Sequence, residues 1–106
     1  MFDRQPCVHI PASGERGTLY TGVTSDLVKR ISGHKSDLAG GFTKKYRVHD
    51  LIWCEQHETM VAAIAGEKAI KEWKRSSKFE LIETAIPQWH DLYPDIIDNG
   101  FRLALE

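Results

Sequence analysis

The first two dozen residues leave this chain few options. "PCVHIPA" (6–12) and "TLYTGVT" (18–24) are short strand candidates, and "SGERG" between them is polar with two glycines. Apolar, β-branched runs around such a loop predict a β-hairpin. A hairpin alone is marginal in water, so the remaining residues must supply further strands or helices to cover it. Pro11 lacks an N–H for the ladder, which favours an edge or the end of a strand.

The covering elements follow in order. "TSDLVKRISGHK" predicts a helix, with Thr24 or Ser25 as N-cap, Asp26 in the first turn, and Leu27 and Ile31 as an i, i+4 apolar pair. "DLAGGFTKKY" reads as a loop, and "VHDLIWCEQ" (48–56) as a third strand. A second helix spans about 58–74. Ser77 and Glu80 have capping-box spacing for another, with Phe79, Ile82 and Ile86 on its apolar face and Pro87 ending it. The order ββ-α-β-α-α predicts an α+β domain: a small three-stranded, mostly antiparallel sheet flanked by helices. A chain of 106 residues is enough for one such domain with its own core.

Charge is unevenly spread. Residues 1–78 hold thirteen Lys/Arg against nine Asp/Glu, whereas residues 79–106 hold Arg102 against six acids. A mildly basic body permits an anionic partner, and an acidic, aromatic tail is suited to packing back or to docking on a protein partner. Two cysteines without a CxxC fit a reducing compartment. No run reaches the eighteen or so apolar residues of a membrane span, and "MFDRQPCVHI" has no signal core. These features predict a cytoplasmic protein.

Three places carry chemistry. In "MVAAIAGEKAIKEW", helical spacing puts Met60, Ala63, Ile64, Glu67 and Ile70 on one face. A carboxylate in that stripe costs several kcal/mol unless it is paired or binds a cation. The ordinary explanation is an i, i+4 pair with Lys71. A helix away, Arg30 and His34 are four apart beside the Leu27/Ile31 stripe. Tyr20 stands before Gly22, where a glycine suggests close backbone or ligand approach. Taken together these groups suit phosphodiester hydrolysis. A lone carboxylate suits Mg²⁺, which keeps several waters; Arg30 offers a fork to phosphate; and Tyr20 or His34 can move the proton. Zinc is a poor alternative, because His9, His34, His49, His57 and His90 lack paired ligand spacing.

"CVHIPASGERGTLYTGVTSDLVKRISGHK", "VHDLIWCE" and "AAIAGEKAIKEWKR" resemble, in that order, the GIY-YIG nuclease domain over about residues 5–85. The likeness is to its small stand-alone bacterial members, which are similar to the N-terminal nuclease domain of the bacterial excision-repair endonuclease. The resemblance implies a metal-dependent endonuclease acting on DNA by a one-metal mechanism. Tyr20 would be the second motif tyrosine, Gly22 its closing glycine, Arg30 the phosphate-stabilising arginine, His34 an aid to proton transfer, and Glu67 the ligand of Mg²⁺ or Mn²⁺. His9 stands where the first motif tyrosine falls, and Gly66 adjoins the metal ligand. By the same resemblance residues 1–86 form the nuclease-like domain and 87–106 a C-terminal extension. Lys44, Lys45, Arg47, Lys71, Lys74, Arg75 and Lys78 are candidates to hold the DNA backbone. With no separate DNA-reading domain, intrinsic sequence specificity should be low, leaving target choice to branched, flapped or single-stranded shape, as in DNA repair or processing. The alternative function is a nucleic-acid-binding or adaptor module with little activity, motivated by His9 and Gly66.

Overall fold

A computed structural model describes residues 5–35 and 47–98. Its three strands, β1 (Cys7–Ala12), β2 (Gly22–Thr24) and β3 (Asp50–Gln56), form one antiparallel sheet in the order β2-β1-β3. The helices are α1 (Leu27–Lys35), α2 (Met60–Lys71), α3 (Arg75–Ala85) and α4 (Tyr93–Asp98). The predicted α+β architecture is therefore present, and the hairpin anchors it.

Pro11 lies near the end of β1, one of the two places expected of it, although β1 is the central strand rather than an edge. The chain accommodates it where the β1–β3 register shifts, between Ile10 and Pro11. At such an irregularity a missing N–H costs no ladder bond, and the Pro11 carbonyl still accepts from the Tyr20 N–H at 3.0 Å. The same shift explains the two apolar layers. Leu51 and Cys54 join Cys7, Leu27, Ile31, Ile86, Leu92 and Ile96 in one cluster. The consecutive residues Ile52 and Trp53 both join Val8, Ile10, Ala12, Ala63, Ile70, Ile82 and Trp89 in the other. A regular strand sends neighbours to opposite faces; a bulge lets two point the same way.

Two helix starts differ from the sequence expectation. Asp26, expected in the first turn of α1, is its cap: the carboxylate accepts from the Lys29 N–H at 3.3 Å, while Thr24 Oγ1 accepts from the Asp26 N–H at 3.0 Å. For α3 the Ser77/Glu80 capping box does not define the start. The helix begins at Arg75 after Lys74, with no side-chain cap bond. Arg75 is drawn instead to the preceding hairpin loop, where Nη2 donates to the carbonyls of Arg16 (2.9 Å) and Gly17 (2.6 Å).

That loop is latched to α3 a second time. Arg16 forms a two-pronged pair with Glu83, both contacts at 2.9 Å, and Trp89 Nε1 donates to the same carboxylate at 2.7 Å. The Arg16 and Arg75 guanidinium groups both lie over the Phe79 ring, which meets Trp89 edge-on. The Arg16 and Trp89 donors hold the Glu83 carboxyl below its usual pKa. Beyond α3 the chain returns to the sheet: Trp89, Leu92 and Ile96 are buried, and the Leu92 N–H donates to the Leu51 carbonyl at 2.7 Å. Among the described residues no helix is long and apolar enough to cross a membrane.

Candidate active site

The candidate residues gather around the start of β2, because a glycine there lets two rings close over the backbone. Gly22 pairs with His9 across the strands. A Cβ on Gly22 would lie 2.9 Å from His9 Cε1 and 3.1 Å from Tyr20 Cε2. Real side chains do not approach so closely, so the absence of a side chain at position 22 is what allows His9 and Tyr20 to share this corner. His9 is fully buried there, whereas Tyr20 is only partly covered.

Arg30 approaches from α1, exposed, with Nη1 donating weakly to the Val23 carbonyl at 3.4 Å. His34 lies one turn further along α1, and its side chain is outside the described residues.

From the other side comes α2, started by Thr59, whose side chain accepts from the Ala62 N–H. Its buried row is Ala63, Glu67 and Ile70, at i, i+4 and i+7, and the helix rests on β1 and β2. The apolar stripe is thus narrower than its sequence spacing suggests: Met60 and Ile64 stay 37% exposed beside the buried row. Glu67 is only 8% exposed, and its Oε2 pairs with Lys71 Nζ at 2.6 Å. That hydrogen bond to Glu67 raises the Lys71 pKa, aided by the charges of Glu67 and Tyr20. The packing of α2 against β2 sets this pair on the side of the sheet edge that Gly22 begins.

Gly66 also proves to be a packing position. A Cβ there would meet His57 Cε1 and Nε2 at 3.4 Å and Val8 Cγ2 at 3.6 Å, ordinary contacts. Gly66→Ala is expected to add roughly 0.5–1 kcal/mol of stability, through helix propensity and a less free unfolded chain. Chemical denaturation of the two proteins side by side measures this; a loss of stability would mean that His57 cannot yield.

Among the described residues no three His, Cys, Asp or Glu side chains converge. A site built on the Glu67 carboxylate fits a hard cation completing its shell with water and phosphate oxygens, and without three converging ligands among the described residues it does not fit a closed zinc site. The two cysteines lie in the core, where burial pushes both thiols up to about 12 and keeps them unreactive.

The candidate phosphate contacts divide. Lys74 and Arg47 are exposed and Lys78 is half-buried, while Lys71 and Arg75 are engaged internally as described. Lys44 and Lys45 lie outside the described residues. Sequence reasoning missed the pairing of Arg16 with Glu83, 67 residues apart, because neither has a local signal.

Comparison with known proteins bears on the family of the chain as a whole. The chain is 36% identical over 66 residues to a UPF0213 protein of Staphylococcus saprophyticus, covering 62% of this chain and 80% of that one. It is 34% identical over 67 residues to a UPF0213 protein of Staphylococcus aureus strain Mu50, covering 63% and 82%. No solved structure matches. The model of the GIY-YIG catalytic domain matches residues 5–80, a span that runs from before β1 into α3 and takes in His9, Tyr20, Gly22, Arg30, His34 and Glu67. With more than half its length so matched, and a three-stranded antiparallel sheet flanked by helices, the chain belongs to the GIY-YIG catalytic domain family and has a nuclease-type fold.

Proposed function

We propose that this protein is a metal-dependent endonuclease that hydrolyses phosphodiester bonds in DNA, with little intrinsic sequence preference. The observation that carries this reading is the buried Glu67 carboxylate on a helix that rests against β1 and β2 in a GIY-YIG chain. Glu67 would hold one Mg²⁺ or Mn²⁺, and the bound ion would polarise the scissile phosphate and offset charge as it develops. Arg30, anchored only weakly to the Val23 carbonyl, is free to turn its fork onto a non-bridging phosphate oxygen. Tyr20, partly exposed at the same corner, orients the attacking water or takes its proton, and His34 on the neighbouring helix serves the same transfer. The exposed bases Arg47 and Lys74 would follow the DNA backbone, which confers affinity without reading sequence. Selection would then rest on flapped, branched or single-stranded shape, as suits a repair or processing enzyme.

One observation favours a second reading, a nucleic-acid-binding or adaptor module of low activity. His9, at the first motif position, is wholly buried against Gly22 and out of reach of a substrate.

End-labelled single-stranded, duplex, flapped and branched DNAs, incubated with Mg²⁺ or Mn²⁺, separate the two. The wild type is expected to cut at least one form, and Glu67→Ala to lose on the order of 10³-fold in rate, about 4 kcal/mol of barrier. A folded wild type that binds these DNAs but leaves all of them intact would establish the binding module instead.

A further inference from the structure

Glu67 already has an occupant. Its carboxylate is buried beside Ala63 and Ile70, where an uncompensated charge is costly, and Lys71 supplies the compensation at 2.6 Å. Most i, i+4 pairs join two solvated ends and contribute little. Here one end is enclosed, while the Lys71 side chain is 50% exposed on the last residue of α2. Its stem can therefore swing without disturbing the helix. An ammonium and a divalent ion on one carboxylate repel each other, so both cannot occupy it fully.

We propose that Lys71 is the resident counter-ion of Glu67 in the metal-free protein, that a divalent cation displaces it, and that the released ammonium takes a phosphate oxygen of the nucleic acid. The inference rests on the reading of Glu67 as a metal ligand. Two features keep the released group at the corner. Lys71 ends α2, so its stem keeps the ammonium within a side chain's reach of Glu67, and the side chain is half exposed, open to a phosphate arriving from solvent. Metal and nucleic acid then bind cooperatively through one side chain, since each favours the same swung-out position of Lys71.

Calorimetric titration of Mn²⁺ into the metal-free full chain tests the exchange. Lys71→Met is expected to bind Mn²⁺ roughly tenfold more tightly, the gain from removing one charge-assisted competitor. Lys68→Met, one turn back and exposed, controls for a general loss of positive charge and should titrate as wild type. Thermal melts confirm folding: Lys71→Met should melt lower than wild type in EDTA and recover in Mn²⁺. The second half is read by fluorescence anisotropy with a flapped oligonucleotide. Lys71→Met should weaken binding in Ca²⁺ by about tenfold, the contribution of one phosphate contact, yet leave it unchanged in EDTA. Equal Mn²⁺ affinity of Lys71→Met and wild type, or an equal loss of DNA affinity with and without metal, would overturn the exchange while leaving Glu67 as the ligand. If Glu67→Gln also titrates as wild type, or if no variant takes up Mn²⁺, the metal-site reading falls and the exchange falls with it.

Discussion

Gly22→Ala is expected to cost about 1–3 kcal/mol of folding stability, the usual penalty for forcing atoms into a filled space. The added methyl would meet His9 at 2.9 Å and Tyr20 at 3.1 Å. His9 is fully enclosed and has no room to withdraw, so Tyr20, only partly covered, is the ring that shifts. That shift carries the functional effect. Misplacing a reacting group by about 1 Å lowers a rate by roughly 10²-fold, so cleavage should fall even where the variant remains folded. Denaturant unfolding measures the stability loss and single-turnover cleavage the rate. The His9→Ala background supplies an internal check. With the imidazole removed, Gly22→Ala should lose most of its cost, and the two changes should be strongly non-additive. Additive effects would mean that the two residues do not compete for this space.

Asp91→Ala should cost about 3 kcal/mol of folding stability although the residue lies outside the active corner. One Asp91 oxygen accepts from the N–H groups of Leu51 (2.9 Å) and Tyr93 (3.0 Å). The other pairs with Lys35, whose Nζ also donates to the His49 carbonyl at 3.0 Å and lies over the Tyr93 ring. Removing the carboxylate strands a buried N–H on β3, worth roughly 1–3 kcal/mol, and leaves Lys35 without its ion partner. It also loosens the return segment that seats Leu92 and Ile96. For a domain of this size each kcal/mol lowers the melting temperature by about 4–8 °C, so a calorimetric scan resolves the effect easily. Asp91→Asn keeps one oxygen to accept from the two N–H groups, replaces the oxygen facing Lys35 with an amide donor, and should cost about half as much. A wild-type melting temperature for Asp91→Ala would show that the return segment is held by its apolar contacts alone.

The sequence was sufficient for whatever depends on neighbours along the chain. Strand alternation around "SGERG" located the hairpin, Leu27/Ile31 spacing located α1, and Pro87 located the end of α3. Glu67 was conspicuous because 3.6-residue periodicity put a carboxylate among apolar side chains, and the Glu67–Lys71 pair was legible because residues four apart meet on any helix. Tyr20 and Gly22 were likewise visible as a pair, and the glycine already suggested a close approach, although His9 as one of the approaching groups was not legible.

What only the tertiary structure decided depends on groups distant in sequence. Pro11 sits in the central strand because a register shift against β3 relieves it, and that shift belongs to the pairing of two strands rather than to either one. His9 fills the space over Gly22 only once β1 and β2 are aligned. Arg75, basic and exposed by pattern, serves loop carbonyls nearly sixty residues earlier, and Glu83 gathers Arg16 and Trp89 into one latch. Local periodicity decides which face a residue occupies, but the partner opposite that face is set by how the elements pack. For that reason the elements and the candidate site residues were legible in the chain, whereas the contacts that hold the corner in place were not.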